Sequence, residues 1–218
     1  FCARNGGREE RLMNRKQFFE KVKLCGITGP AELVSIQRAY WLAKEVHDKQ
    51  KRDCGERYFE HCRRVACLLI RYCKPRAHQI VSALLHDSVE DGFIPMDIIR
   101  LLFDNNVVNL VEKLTKVQVV FNDETGAVQG KTKKPLSVYF DNIRSDPFSA
   151  CLIKFADRLD NLQSMSVWPK ERQRKYLSET ELYIMPLGWQ TGMNHTDLYN
   201  ALEKEFKRYK SKLIKVVP

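Results

Sequence analysis

The sequence predicts an all-α fold, a single bundle of helices around one apolar core. Apolar residues recur every three or four positions through nearly the whole chain, which is the period of a helix. Strand patterns are scarce: the run VQVVF at 117–121 is short and stands before a polar stretch. At 218 residues, with 44% hydrophobic and 29% charged residues, the chain can bury a sizeable core and has the composition of a soluble globular protein.

The predicted helices follow one another along the chain. The first strongly periodic segment, residues 31–49, carries an apolar stripe that Trp41 and Leu42 widen. The stripe consists of Leu33, Ile36, Ala39, Tyr40, Ala43 and Val46. Further helices are predicted for HCRRVACLLIRYC, AHQIVSALLHD, MDIIRLLFDNNVVNLVEKLTK, FSACLIKFADRLDNLQSM and ERQRKYLSETELYIM, and residues 197–215 close the series.

Three polar connectors divide this helical series. Residues 48–60 are basic and contain a Gly, so we expect a loop. Residues 122–135 form the longest stretch without periodicity, either a flap beside a site or a surface loop. Residues 185–197 contain Pro and Gly and precede the last helix. We therefore predict an N-terminal extension (1–30), a central domain (31–190) and a basic amphipathic helix packed on that domain (191–218).

The net charge of +10 indicates an anionic partner such as phosphate, nucleic acid or a membrane surface. Part of the charge lies in the last helix, on Lys204, Lys207, Arg208, Lys210, Lys212 and Lys215. The same helix has an apolar stripe, so we favour a packed helix with a solvated basic face over RNA or membrane binding. Nucleic acid is accordingly not the expected partner, and homo-oligomerisation stays open.

The cellular setting follows from the cysteines and from the apolar runs. The chain has seven cysteines, an odd number, and no C-x-x-C spacing, which argues against a disulfide framework and a zinc ribbon. No apolar run approaches the roughly 20 residues that span a bilayer. The sequence therefore predicts free thiols in a cytoplasmic protein without a membrane partner.

Candidate metal ligands stand at three separate places in the helical series. His86 and Asp87 end an apolar helix, His61 begins another, and Asp157 lies among apolar residues of a third. A buried carboxylate is costly unless it is paired or bound to a metal. Two imidazoles and two carboxylates suit Mn²⁺, Fe²⁺ or Zn²⁺. By residue type alone, a lone His on an apolar face is more often a core residue than a metal ligand, which is the interpretation kept for His47 and His78.

The order His61, His86–Asp87, Asp157 resembles that of the HD-domain metal-dependent phosphohydrolases. The segments GERYFEHCRRVACLL, SALLHDSVEDG, LVEKLTKV and IKFADRLDNLQSM together resemble the hydrolase domain of the RelA/SpoT family. The similarity extends from about residue 33 to about residue 190. It implies the HD-domain helical bundle as the fold and guanosine tetra- or pentaphosphate as the nucleotide partner.

The resemblance also implies roles for individual residues. His61, His86, Asp87 and Asp157 would hold one Mn²⁺, with Fe²⁺ or Zn²⁺ as alternatives, and the metal would lower the pKa of a bound water. Glu90 and Asp91 match the catalytic Glu-Asp pair that would orient or deprotonate this water. The substrate would be bound by Lys51, Arg52, Lys154, Arg158 and Asn161. The implied reaction is hydrolysis of the 3′-pyrophosphate, giving GDP or GTP and pyrophosphate.

Three positions depart from the family pattern. Cys62 replaces a Pro after the first metal-binding His, Gly92 replaces a Thr after the Glu-Asp pair, and Asp160 replaces the His of ADRLHN. We expect Gly92 to loosen the loop of Asp91, and Asp160 to add negative charge near the phosphates. No metal or Glu-Asp position is missing, so an active enzyme is expected, either standalone or part of a longer chain. The alternatives are a related phosphohydrolase, such as an NADPH 2′-phosphatase, and a catalytically silent nucleotide- or RNA-binding module.

Overall fold

The computed structural model describes residues 13–214 apart from residues 123, 126 and 127. Its α-helices are α1 (Arg15–Leu24), α2 (Pro30–Val46), α3 (Tyr58–Tyr72), α4 (Ala77–Leu85), α5 (Met96–Leu102), α6 (Asn105–Leu114), α7 (Leu136–Arg144), α8 (Leu152–Ser164), α9 (Lys170–Glu179), α10 (Met185–Gln190) and α11 (Asp197–Ile214). The strands are β1 (Val117–Phe121) and β2 (Val128–Lys133). Short π-helical turns cover Pro147–Cys151 and Thr180–Ile184, and a 3₁₀ turn covers Met165–Val167. The predicted all-α class is confirmed.

Helices α3, α4 and α8 form the centre of the core. Seven of the nine residues of α4 are buried, and α4 packs against both α2 and α3. Helix α8 packs between α3 and α11. Complete burial of a side chain such as Ile80, Leu84 or Leu85 stabilises the fold by about 1.5–3 kcal/mol. These three helices form the buried centre of the described fold; two predicted metal ligands, His61 and Asp157, lie on α3 and α8, and His86 and Asp87 directly follow α4.

The segments that flank the predicted central domain also contribute to this core. Helix α1 begins with a reciprocal hydrogen-bonded cap between Asn14 and Gln17, and it buries Phe18 and Val22. Helix α11 buries Leu198, Leu202 and Phe206, largely against α8. The boundaries at residues 30 and 190 stay a prediction. Lys215, the last cation of the predicted basic helix, lies outside the described residues.

Two predicted connectors and one predicted stripe differ from the structure. The stretch 122–135 contains β2, which pairs antiparallel with β1 in a hairpin between α6 and α7. Its sequence VQGKTK gives no alternating pattern because nearly every residue of β2 is exposed. The stretch 185–197 contains α10, with a Pro in its first turn, where its missing N–H costs no hydrogen bond. Trp41 does not widen the buried face of α2: it is 41% exposed and contacts the cations of Arg15 and Lys44.

No helix in the described part of the chain is long and apolar enough to span a membrane. The cysteines that the structure describes, Cys25, Cys54, Cys62, Cys67, Cys73 and Cys151, form no disulfide. Cys2 lies outside the described residues.

Candidate metal centre and catalytic cleft

The structure brings His61, His86, Asp87 and Asp157 together in one group, called here the His–Asp cluster. His61 lies in the first turn of α3, His86 and Asp87 directly follow α4, and Asp157 lies in the middle of α8. Residues far apart in the sequence meet because these three helices pack against one another at the centre of the core.

The side chains of the His–Asp cluster converge on one point. His61 Nε2 lies 3.4 Å from Asp157 Oδ1 and 3.6 Å from Asp87 Oδ2. His86 Nε2 lies 3.9 Å from Asp157 Oδ1 and 3.0 Å from Asp87 Oδ2. Single ligand atoms of His61, His86 and Asp157 all lie within 4.8 Å of one another. Three nitrogen and oxygen donors at this spacing can surround one small cation, and Asp87 Oδ2 lies beside the two imidazoles.

The outer nitrogen of each imidazole fixes the orientation of its ring. His86 Nδ1 donates a hydrogen bond to the carbonyl of Ala83 (2.9 Å), because that oxygen can only accept. In the neutral imidazole, Nε2 then carries no hydrogen, and this nitrogen is buried and has no hydrogen-bond partner. His61 Nδ1 lies 2.7 Å from Asp160 Oδ2, which likewise directs Nε2 into the cluster. A buried imidazole nitrogen without a hydrogen, aimed at two carboxylates, suits a metal ligand.

The carboxylates of the cluster require positive charge between them. Burial and the charge of Arg52 would lower the pKa of His61, but Asp157, Asp160 and Asp87 raise it to about 10. Burial would likewise raise the pKa of Asp157, but Lys154 and the two histidines hold it well below its usual range. The cluster thus favours a cation at this point, supplied by a proton or by a divalent metal that displaces it.

Glu90 and Asp91 follow the cluster in a hydrogen-bonded turn beside it. Asp91 Oδ2 accepts a hydrogen bond from the Tyr58 hydroxyl (3.0 Å), which also contacts Asp87 Oδ2 (2.8 Å). Glu90 Oε2 accepts from the backbone N–H of Lys116 (3.0 Å). Burial raises the pKa of both Glu90 and Asp91, and the negative charge of Asp87 raises each further. Both groups thus bind a proton more readily than an ordinary carboxylate.

A cleft of about 300 Å³ opens over the His–Asp cluster. His86, Asp87 and Asp157 line it on one side, with Glu90 and Asp91 next to them. Its remaining walls carry cations and aromatic rings, namely Lys116, Lys154, Arg158, Arg172, Tyr58, Tyr139, Trp168 and Tyr176, together with Asn161, Leu114 and Ile153. This composition suits an anionic ligand with a planar ring.

The predicted substrate-binding residues of α8 line the cleft but are already paired. Lys154 Nζ donates to Asp157 Oδ2 (2.6 Å), and Asn161 Nδ2 donates to Asp157 Oδ1 (2.5 Å). Arg158 is almost fully buried, where it bonds Glu179 (2.6 Å) and lies 4.0 Å from the ring centroid of Tyr176. These residues thus hold the site together as well as facing the cleft.

The two cations of the 48–60 loop are placed differently. Lys51 is exposed and is not among the residues that line the cleft. The guanidinium of Arg52 points to α8, where it donates to Asp160 (3.0 Å), Asn161 (2.6 Å) and Ser164 (3.1 Å). Arg52 is therefore one layer behind the cleft, and it positions Asn161.

Sequence reasoning did not assign several residues that the structure places at the site. Tyr58 and Lys116 lie within motifs used for the family resemblance, so their neighbourhood carried a signal. Arg172 and Tyr176 follow in α9, within the predicted helix ERQRKYLSETELYIM, whose apolar spacing does not indicate which residues face a cleft.

The three departures from the family pattern have local explanations. Gly92 does not lie in a loose loop: Asp91 and Gly92 both donate backbone hydrogen bonds to the carbonyl of Asp87 (2.8 and 3.2 Å). A Cβ atom at Gly92 would lie 1.9 Å from Val46 Cγ1, so only glycine fits. Asp160 does not line the cleft, because it is buried behind His61. Cys62 is a packing residue, and burial raises the pKa of its thiol well above the usual value.

Residues 39–193 match the HD domain family, so the chain belongs to that family. Within it, the chain is similar to curated proteins of the SpoT and Rsh type, which confirms the resemblance expected from the motifs. It is 34% identical over 165 residues to the guanosine-3′,5′-bis(diphosphate) 3′-pyrophosphohydrolase of Aquifex aeolicus, covering 75% of this chain and 22% of that protein. It is 30% identical to the bifunctional (p)ppGpp synthase/hydrolase SpoT of Escherichia coli, covering 75% of this chain and 23% of that protein. It is 32% identical to the GTP pyrophosphokinase rsh of Brucella ovis, covering 80% of this chain and 22% of that protein.

The chain thus spans less than a quarter of the length of these curated relatives. A solved structure has a similar fold, with a TM-score of 0.63 over 80% of this chain and 94% of the other. That structure is described as a metazoan ortholog of SpoT that hydrolyzes ppGpp and plays a role in starvation responses. At 24% identity it shows that the fold is shared.

Proposed function

We propose that this chain is a metal-dependent hydrolase that removes the 3′-pyrophosphate of guanosine tetra- and pentaphosphate. The products would be GDP or GTP and pyrophosphate. The observation that carries the proposal is the convergence of His61, His86, Asp87 and Asp157 below a cationic cleft, with Glu90 and Asp91 beside them. The curated relatives named as guanosine-3′,5′-bis(diphosphate) 3′-pyrophosphohydrolases support the choice of substrate.

The donor set supports a divalent first-row metal, and we propose Mn²⁺. Two imidazoles and two carboxylates form a ligand set of intermediate softness, which Fe²⁺ and Zn²⁺ also accept. The unpartnered Nε2 of buried His86 is the feature that fits a metal best. When bound, such a metal supplies Lewis acidity and lowers the pKa of water.

Glu90 and Asp91 are proposed to orient the attacking water and to accept its proton. Their raised pKa values bring them closer to the working pH, which is what proton transfer requires of a general base. The Tyr58 hydroxyl contacts both Asp91 and Asp87 and so fixes the position of one carboxylate relative to the other. Burial raises the pKa of Tyr58, and so do the charges of Asp87 and Asp91, so the phenol stays protonated as a donor.

The cations around the cleft are proposed to attract the phosphates and hold them. Lys154 and Arg158 contribute from α8, and Lys116 and Arg172 face the same space. Asn161, positioned by Arg52, offers an amide to the base or the ribose. Lys51 contributes only to the long-range field, because it is exposed and away from the cleft walls. A nucleotide of this kind and the free thiols of the described residues fit a cytoplasmic location.

A hydrolysis screen tests the proposal. The metal-stripped protein is reloaded with Mn²⁺ and incubated with guanosine 3′,5′-bispyrophosphate, NADPH and common nucleotides, and products are separated by ion-exchange chromatography. We expect GDP and pyrophosphate in equal amounts from the first substrate, and no product with chelator present. Release of orthophosphate from NADPH alone, or no product from any substrate, would contradict the proposal.

A further inference from the structure

Asp160 lies three residues after Asp157 on α8, and it is one of the most buried carboxylates of the described chain, with 2% exposure. It does not line the cleft. A carboxylate buried to this degree costs several kcal/mol unless its charge is matched and its oxygens are hydrogen-bonded. Its neighbours therefore indicate what the residue does.

One neighbour is a member of the His–Asp cluster. Asp160 Oδ2 lies 2.7 Å from His61 Nδ1, a short distance for a nitrogen–oxygen hydrogen bond. Because the carboxylate can only accept, the ring nitrogen donates its proton, and Nε2 faces Asp87 and Asp157. His86 reaches the same orientation with a backbone carbonyl, which is a weaker, neutral acceptor. The two histidines of the cluster are thus held by acceptors of different charge.

The other neighbours fix the carboxylate in place. Arg64 Nε donates to Asp160 Oδ1 (2.5 Å), and Arg64 Nη2 donates to Oδ2 (3.2 Å). Arg52 Nη1 donates to the same Oδ2 (3.0 Å). Arg64 is itself held by two bonds of 2.7 Å to Glu56. Both oxygens of Asp160 are therefore satisfied, and the acceptor that faces His61 cannot turn away without breaking the hydrogen bonds from Arg64 and Arg52.

We propose that Asp160 is a positioning residue for the metal site: its carboxylate fixes the tautomer and ring orientation of His61 and strengthens the imidazole as a ligand. A carboxylate behind a metal-binding histidine raises the basicity of the ring, and loss of such a partner typically costs about 10–100-fold in metal affinity. The inference rests on the proposed metal-dependent function. Asp160 is also the position at which this chain departs from the ADRLHN pattern, which has His there.

A purely structural role makes a different prediction. If Asp160 served only to neutralise Arg64, then the two single substitutions would lower the stability by similar amounts. They would also have similar effects on the Mn²⁺ affinity. The positioning role predicts instead that the two substitutions differ in their effect on the Mn²⁺ affinity. Asp160→Asn removes the charge behind His61 with little change in shape. Arg64→Gln breaks the ion pair but leaves the His61–Asp160 hydrogen bond and the Arg52 contact in place.

The experiment measures Mn²⁺ affinity of the full chain by competition with a chelator of known affinity, for wild type, Asp160→Asn and Arg64→Gln. Thermal unfolding of the metal-free proteins is recorded beside it, as a control for folding. We expect Asp160→Asn to weaken Mn²⁺ binding by about 10–100-fold. Arg64→Gln should lower the unfolding temperature but change the affinity much less.

Three results would overturn the inference. If Asp160→Asn bound Mn²⁺ with wild-type affinity, Asp160 would have no positioning role, and the proposed function would be unaffected. Equal losses of affinity in Asp160→Asn and Arg64→Gln would assign Asp160 a structural role. Absence of Mn²⁺ binding in the wild type would remove both this inference and the proposed function.

A second measurement decides the matter even if Asp160→Asn does not fold. In wild-type protein loaded with diamagnetic Zn²⁺, a histidine ¹⁵N spectrum should show Nδ1 of His61 protonated, with its proton at low field. An unprotonated Nδ1 would contradict the proposal.

Discussion

The His–Asp cluster and the rim of the cleft are built in opposite ways. His61, His86 and Asp157 are each less than a tenth exposed, and each has a further hydrogen-bond partner behind it. At the rim, which comprises residues 90–93 and Lys131, the Asp91 side chain is 45% exposed. The difference teaches where precision is needed: ligand geometry must be fixed before a metal arrives, whereas a cleft must admit a large substrate.

The hairpin contacts the rim through Lys131. Lys131 on β2 donates to the carbonyl of Glu90 (2.6 Å) and lies 4.0 Å from the ring centroid of Phe93. Phe93 has a φ of 58°, a left-handed conformation that is costly for a bulky residue, on the order of 1–3 kcal/mol. The hairpin and this strained turn therefore define the entrance, while the helices define the cluster.

The largest effect should come from a ligand of the cluster. His86→Ala removes a donor that the rest of the cluster cannot replace, and metal catalysis contributes several kcal/mol to such reactions. We expect hydrolysis to fall by roughly 10³-fold or more, with metal content lost in parallel. Steady-state kinetics and metal analysis on the same sample check this. As a control, His78→Ala should retain both, because His78 lies outside the cleft.

The Glu-Asp pair comes next in size. Glu90→Gln, and separately Asp91→Asn, should leave metal bound but slow hydrolysis by on the order of 10²-fold, because the acceptor for the water proton is lost. Metal analysis beside single-turnover kinetics separates the two effects. Full activity in both variants would mean that neither carboxylate takes part in the chemistry.

Gly92 tests how tightly the rim turn is packed. A Cβ at Gly92 would meet Val46 and the carbonyl of Ser88 (2.5 Å), so Gly92→Ala should destabilise the protein by about 1–3 kcal/mol, as other overpacking changes do. Gly130→Ala is the matched control on β2, where a Cβ meets nothing within 4 Å. Urea unfolding measures both variants. Equal stabilities would show that the turn is as loose as the sequence suggested.

The smallest effect is expected for a cation of the cleft wall. Lys116 lines the cleft. Lys116→Ala should raise KM several-fold with less change in kcat if Lys116, as proposed, attracts the phosphates without touching the reacting atoms. The rise should shrink at high ionic strength, where screening already weakens the attraction. Lys51→Ala serves as the control of equal charge, since Lys51 is exposed away from the cleft walls. Equal KM changes in the two variants would point to a general field rather than a specific contact.

The sequence predicted the members of the His–Asp cluster better than it predicted the residues that support them, for a physical reason. The order of His61, His86–Asp87 and Asp157 on three buried helices is a sequence pattern, and burial of those helices brings the residues together. The partners of Arg52 lie more than a hundred residues away on α8. No local pattern indicates that its guanidinium turns inward to Asp160 and away from the cleft.

The hairpin and Asp160 show the same limit. An exposed strand such as β2 has no apolar alternation to reveal it, so its pairing with β1 is visible only in three dimensions. Asp160, which replaces the His of the ADRLHN pattern, was expected to add charge near the phosphates. On a helix, however, residues three positions apart can share a face and still point to different partners, and Asp160 faces His61 and Arg64.

Anomalous X-ray diffraction from crystals grown with Mn²⁺ tests the central claim most directly. Data collected at the manganese edge should give one strong peak within about 2.0–2.3 Å of His61 Nε2, His86 Nε2 and carboxylate oxygens of Asp87 and Asp157. A diffraction experiment with no peak at the His–Asp cluster, or with the peak elsewhere in the chain, would contradict the account.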